Sequence, residues 1–444
     1  MVKSARRNAA SIPNVLKHYE RIEAEELLEL EERHTLHRDL IDAIALHRTK
    51  TIRRVAGKVL QQPSKEKYSS QILMLKVIVK DEFPAPPSER VEWLLRFLDD
   101  SHPPFSIWAF RLLGDTRWRE SIDALIDVMA LEEKEDRFGS VCWHRASGEL
   151  YRIFGSSAYP ATAVAIQKEW DRLGQKVPEQ TEDELVDQEG RHQHTSMGFF
   201  GDKISPRSVF VIDRSSSMRR PLKVEQIPAA PVTSVASTKD QGKSGKTSGK
   251  RAPGTDERRD ETEDGISPEI KIDIVRKELL RALDRLEKSF RFNIVSFDAG
   301  TRICMRSAHG IPATPRTVNP ASPARRSRQI QVHDLYPANA KNVASARDFT
   351  IRMTTGRGTN VYEAIRVALG FPGVDTIYLL SDGRPTRGGN VPEIEKHVQL
   401  RNYLKGVRVI TYGFASEREG EFDEAFMQRL AGNNCGGYRR LSRL

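Results

Sequence analysis

Hydrophobic positions change their rhythm once along this chain. Over residues 1–177 they recur at steps of three and four amid Leu, Ala, Arg and Glu, with few β-branched alternations, and this predicts helices throughout. Beyond residue 206, short apolar runs alternate with helical segments. SVFVID (208–213), RFNIVSFD (291–298), VDTIYLLSDG (374–383) and VRVITYGFA (407–415) read as strands. SPEIKIDIVRKELLRALDRL (267–286), NVYEAIRVALG (360–370), EIEKHVQLRNYL (393–404) and EAFMQRLAG (424–432) read as helices. In the first of these, Ile272, Val275, Leu279, Leu283 and Leu286 share one face, and Ser267–Pro268 offers an N-cap and first-turn pair. TRICMRS (301–307), one tight turn from its neighbour, predicts an antiparallel edge strand. The expected architecture is multidomain: an N-terminal all-α region and a C-terminal α/β domain with a mainly parallel sheet.

Within the helical region, AFRLLGDTRWRESIDALIDVM (109–129) is echoed by ELYRIFGSSAYPATAVAIQKEW (149–170). Gly114 and Gly155 stand 41 residues apart, at the ends of apolar helices, where a left-handed backbone costs glycine least. That period resembles HEAT-type helical repeats of about 40–47 residues. Residues 178–205 turn polar and acidic and read as a linker, in which His192 and His194 lack a third metal ligand. The remainder, 206–444, carries two interruptions. Residues 225–266 are rich in Gly, Ser, Lys and Pro, then acidic, and predict disorder; residues 310–342 are Pro-rich and basic.

Charge adds a bias. Seventy-one basic against 61 acidic residues give a net charge of +10 and a pI near 9.4, which favours acidic partners, protein or RNA. The three cysteines, Cys142, Cys304 and Cys435, are far apart and fit neither a disulfide framework nor a zinc site. The N-terminal stretch lacks the apolar core of a secretory signal and no run reaches membrane-spanning length, so a cytoplasmic protein without membrane attachment is expected. GKSGKT (242–247) imitates part of a phosphate-binding loop, but Asp240 stands where that loop needs its first glycine. No buried strand precedes it, and nucleotide binding is not expected.

The chemistry concentrates where strands end. Asp213, Ser215 and Ser217 alternate just past an apolar run, so that a carboxylate and two hydroxyls can converge as the chain turns. These are hard oxygen donors suited to a small divalent cation. Thr359, in TTGRGTN (354–360), offers another hydroxyl ahead of a helix, and Asp382 another carboxylate after IYLLS.

Asp213-x-Ser215-x-Ser217, Thr359 in GTN and Asp382 in SDG resemble the metal-ion-dependent adhesion site of von Willebrand factor A domains, over residues 206–444. The resemblance implies a doubly wound, Rossmann-like sheet with a cation at its top, Mg²⁺ foremost with Mn²⁺ or Ca²⁺ as alternatives. It also implies that these five residues hold the ion directly or through water, and that an acidic residue of a partner completes the coordination. Ser216 departs from the usual glycine of that pattern. Arg214, Arg219, Arg220, Arg357, Arg384 and Arg387 crowd the same loops and suggest a basic, partner-binding rim. With no general base or nucleophile arrangement, the expectation is cation-dependent protein binding and not catalysis. Two alternatives remain: an RNA-binding protein resembling the Ro autoantigen, and a partner, itself not an ATPase, of an ATPase assembly.

Overall fold

The computed structural model describes residues 1–99, 101–137, 140–154, 162–176, 199–221, 270–305, 334–382, 384–414 and 423–441. Ten helices precede the sheet among these: α1 (Val2–Arg7), α2 (Ile12–Ala24), α3 (Leu30–Ala45), α4 (Lys50–Val59), α5 (Tyr68–Ile78), α6 (Pro87–Leu95), α7 (Pro103–Thr116), α8 (Arg119–Lys134), α9 (Val141–Phe154) and α10 (Ala163–Arg172). They enclose one apolar core running from Ala5 to Trp170. The second part is a seven-stranded sheet: β1 (Arg207–Asp213), β2 (Arg291–Phe297), β3 (Thr301–Ile303), β4 (Tyr336–Pro337), β5 (Thr376–Ser381), β6 (Arg408–Phe414) and β7 (Tyr438–Leu441). Its helices are α11 (Lys271–Asp284), α12 (Ala340–Ile351), α13 (Val361–Ala368), α14 (Val391–Asn402) and α15 (Glu424–Gly432).

The strand order is β3-β2-β1-β5-β6-β7; β1, β2, β5, β6 and β7 are parallel, and β3 and β4 pair antiparallel with β2. Both sheet faces are covered. Phe210 and Ile212 of β1 pack on one side with α11, while Val209 and Val211 pack on the other with α13, α14 and α15. Alternate side chains of a strand point to opposite faces, so a strand buried on both reads as the unbroken apolar run seen in the sequence. The α/β class and the preceding helical region are therefore as expected.

Several details differ from the sequence reading. Gly114 does not end a helix. It lies buried inside α7, and Arg117 takes the left-handed position at the helix end, with φ of 50°. A Cβ at Gly114 would lie 2.4 Å from Glu149 Oε2 and 2.6 Å from Arg152 Nη2, so glycine lets α9 pack close. Gly155 lies outside the described residues. The helix after β1 starts at Lys271, with Ile270 at its N-cap and no side-chain cap; Ser267 and Pro268 lie outside the described residues. Of the expected linker, residues 199–205 are described, and Phe199, Phe200 and Ile204 are buried in the sheet's core. His192, His194, GKSGKT and the 225–266 interruption lie outside the described residues. The end of the 310–342 segment forms β4 and the start of α12.

The helical part meets the sheet at the N-terminal ends of the parallel strands. Tyr68 Oη (2.7 Å) and Trp108 Nε1 (2.9 Å) donate to Leu404 O, Lys76 Nζ to Tyr403 O (2.8 Å), and Arg111 to Gly406 O, all in the turn before β6. Arg408, first in β6, pairs with Glu149 at 2.7 Å, and His144 with Glu287 at 3.0 Å ahead of β2. Cleavage at a protease site engineered between residues 178 and 198 is therefore expected to leave the two pieces co-eluting in gel filtration. Separate elution would show that these contacts do not hold the halves together. Among the described residues, no helix is long and apolar enough to cross a membrane.

Candidate metal centre

Two carboxylates meet at the point where the sheet's winding reverses. The chain runs outward from β1 to β2 and then returns to place β5 on the other side of β1, so the carboxyl ends of β1 and β5 flank a crevice. Asp213 ends β1 and Asp382 follows β5; their exposures are 0% and 2%. The Ser381 hydroxyl donates to Asp213 Oδ2 at 2.5 Å across the strand pair. Asp213 Oδ1 accepts from the Ser215 backbone N at 2.7 Å, the local bond by which an aspartate turns its own chain. A 3₁₀ turn over Ser216–Arg219 then carries Ser217 over the strand ends. Ser215 Oγ and Ser217 Oγ are 2.9 Å apart, and Ser217 Oγ donates to Asp382 Oδ1 at 2.7 Å. Four of the five expected ligands thus form one hydrogen-bonded chain.

Thr359, the fifth, joins through its backbone. Gly356 of its loop bridges Ser215, with Gly356 N donating to Arg214 O at 2.7 Å. Three residues on, Thr359 O accepts from the backbone N of Thr386 (3.0 Å) and Arg387 (3.2 Å), tying this loop to the one after Asp382. Thr359 is itself buried. Gly356 is required by a close approach: a Cβ there would fall 1.8 Å from Asp298 Oδ2.

Asp298 was not read from the sequence, although it follows β2 directly just as Asp382 follows β5. It anchors Arg214, whose guanidinium is buried, 2.8 Å from Asp298 Oδ2 and donating to Thr354 O at 3.1 Å. Arg214 is therefore a strut between loops and not part of an exposed rim, its guanidinium held inward by Asp298 and Thr354 O. Arg219, Arg220, Arg357, Arg384 and Arg387 are exposed as a rim requires, and Arg219 reaches Thr355 Oγ1. Lys271 was also missed. Its Nζ lies 2.9 Å from Asp382 Oδ2, buried with it. Its signal was a lysine set between Ile270 and Ile272 at the start of an apolar helical face.

Burial, and next the charge of Asp382, push Asp213 up to about 7, against the hydrogen bonds from Ser381 and Ser215. Two carboxylates gathered out of water call for positive charge. Among the described residues no three His, Cys, Asp or Glu side chains make a metal-holding group. The set here is instead two carboxylates with hydroxyls, hard oxygens of the kind Mg²⁺ takes, and it fits such an ion.

A concavity of about 560 Å³ lies between the helical part and the sheet. Its charges largely satisfy one another: Glu149 holds Arg152 and Arg408, Asp202 holds Arg439, and Arg145 faces Asp375. It serves as the ionic seam between the two halves.

No family model matches the chain, and no curated protein does. Among solved structures, it is similar to a von Willebrand factor type A protein from Catenulispora acidiphila, at 14% identity and a TM-score of 0.33. That likeness covers 53% of this chain and 38% of that one, so the chain spans well under half of its relative's length. It is also similar to an uncharacterized membrane spanning protein from Vibrio fischeri, at 15% identity and a TM-score of 0.18, over 53% of this chain and 92% of that one. Likenesses this loose leave the reading of the site to its own geometry.

Proposed function

We propose that this chain is a binding protein whose α/β part holds a divalent cation, Mg²⁺ foremost, and uses it to capture a carboxylate of an acidic protein partner. The observation that carries the reading is the Ser215–Ser217–Asp382 hydrogen-bonded chain beside Asp213, drawn from two segments 165 residues apart and set at a sheet's switch point. Ser215, Ser217 and Thr359 would supply hydroxyls, Asp213 and Asp382 carboxylates. When bound, such an ion supplies an electrophilic position that attracts an incoming carboxylate. The chain's own part is to hold the oxygens still, with Ser381 fixing Asp213 and the Gly356–Ser215 bridge fixing the Thr359 loop. The exposed rim arginines add attraction for further acidic groups, screened by salt beyond about 8–10 Å.

Calorimetric titration with Mg²⁺ or Mn²⁺ tests the reading. Wild type is expected to bind one ion. Asp213→Ala and Thr359→Ala are expected to weaken binding at least tenfold while circular dichroism stays unchanged, since each removes an oxygen that a near-octahedral ion needs. An unaltered affinity in Asp213→Ala would sink the assignment. A partner captured from lysate is expected to be released by chelator and to resist nuclease; release by nuclease alone would point to RNA instead.

A further inference from the structure

Lys271 occupies an unusual position. It opens α11, its backbone N donates to Arg220 O at 3.1 Å, and its neighbour Ile270 bridges Pro221. A cation in a helix's first turn opposes the helix dipole, so the placement does nothing for α11 itself. Lysine is also among the residues least often buried. Yet its side chain is 5% exposed and its ammonium meets the 0%-exposed side chain of Asp382 at 2.9 Å. Asp382 has its two oxygens divided between Ser217 and Lys271.

We propose that Lys271 is a built-in counter-ion of the metal centre, standing in for a divalent cation at Asp382 and lowering the affinity with which one binds. The proposal rests on the cation reading above. A buried carboxylate without a counter-charge destabilises a fold strongly, so the ammonium keeps the centre assembled when no ion is present. A divalent cation held at Asp382 would have the Lys271 ammonium as a like-charged neighbour, and that repulsion would weaken its binding. Cation binding would therefore compete with Lys271 for Asp382, and the affinity would reflect the difference between the two partners. The role is one of positioning and tuning; Lys271 is not itself a ligand.

The test titrates wild type, Lys271→Met and Lys271→Arg with Mg²⁺ and Mn²⁺ alone, and follows melting in chelator and in saturating Mg²⁺. Lys271→Met is expected to melt lower in chelator, to bind Mg²⁺ about tenfold more tightly, and to gain more from Mg²⁺ on melting, as linkage requires. Lys271→Arg, which keeps the charge, is expected to stay within about threefold of wild type. Tighter binding by Lys271→Met would not follow from a merely structural ion pair. Equal or weaker Mg²⁺ binding by Lys271→Met, with wild type still binding, would overturn the proposal and leave the cation reading intact. Absence of binding in wild type would overturn both. Should Lys271→Met fail to fold, ¹⁵N-lysine spectra of wild type decide. The Lys271 Nζ resonance is expected to be protected in chelator and to shift on adding Mg²⁺, and a resonance that stays in place would refute displacement.

Discussion

Replacing Glu149 with alanine is expected to lower the unfolding free energy by about 3–5 kcal/mol, the range found when one partner of a buried ion pair is removed. Glu149 is 6% exposed and sits where α9 meets both α7 and β6. It accepts from Arg152 Nη2 and from Arg408 Nη2, each at 2.7 Å. Its loss would leave buried Arg111 and the Arg408 head beside it without their shared anion. Burial alone would raise the Glu149 pKa, but Arg152, then Arg408 and Arg111, outweigh burial and hold it below the usual carboxylate range. A depressed folded pKa means the stabilisation is complete at neutral pH and is lost as pH falls through that depressed value. Urea unfolding at pH 7 should therefore separate wild type from Glu149→Ala widely, and the gap should shrink on acidification. A deficit under 1 kcal/mol at pH 7 would show that the seam is not held by this carboxylate.

The second large effect is expected at Gly356, which touches no ion. Alanine there would set a Cβ 1.8 Å from Asp298 Oδ2 and 2.8 Å from Asp298 Cγ. Either Asp298 retreats, stripping Arg214 of its carboxylate, or the loop retreats and breaks the bridge between Gly356 and Ser215. Both outcomes disturb the residues that hold Ser215 and Thr359. Supporting residues around metal ligands typically change affinity by about 10–100-fold, and Gly356→Ala is expected to weaken Mg²⁺ binding within that range. Combining it with Asp298→Ala gives a cycle in which the two losses fail to add, because both act through one contact. Strict additivity would refute the linkage.

What the sequence disclosed followed from how each element is buried. β1, β2, β5 and β6 lie inside the sheet, so their apolar runs were unmistakable, and the aspartates at the ends of β1 and β5 stood out against them. β7, with YRRL, has two arginines in four residues because it is an edge strand, and it left no pattern. α12 buries only Ala346 and Thr350 fully, too little for a visible stripe, and it was missed for that reason. The oxygens of the centre could be read as a motif because three lie within five residues. Their supports could not. Asp298, Lys271 and Gly356 act on Arg214, Asp382 and Ser215 across gaps that only the fold closes. Gly114 was misjudged through the same limit, since a glycine demanded by a neighbouring helix looks in sequence like one demanded by a helix end.

The polarity of the parallel strands also bears on how such a chain can change over generations. One end of the sheet carries the contacts that fasten the helices, largely through main-chain oxygens of residues 403–406, while the other carries the hydrogen-bonded oxygens of Ser215, Ser217 and Asp382. Substitutions among the clustered oxygens need not cross the fastening end, and loss at one need not be inherited by the other. Pro221 and Ile270 extend that freedom, since their pairing brings the chain back to the point it left before α11 begins. Closing a loop costs only about 0.6 kcal/mol more for each doubling of its length. A change in the number of residues between Pro221 and Ile270 can therefore be inherited together with the same pairing and the same sheet.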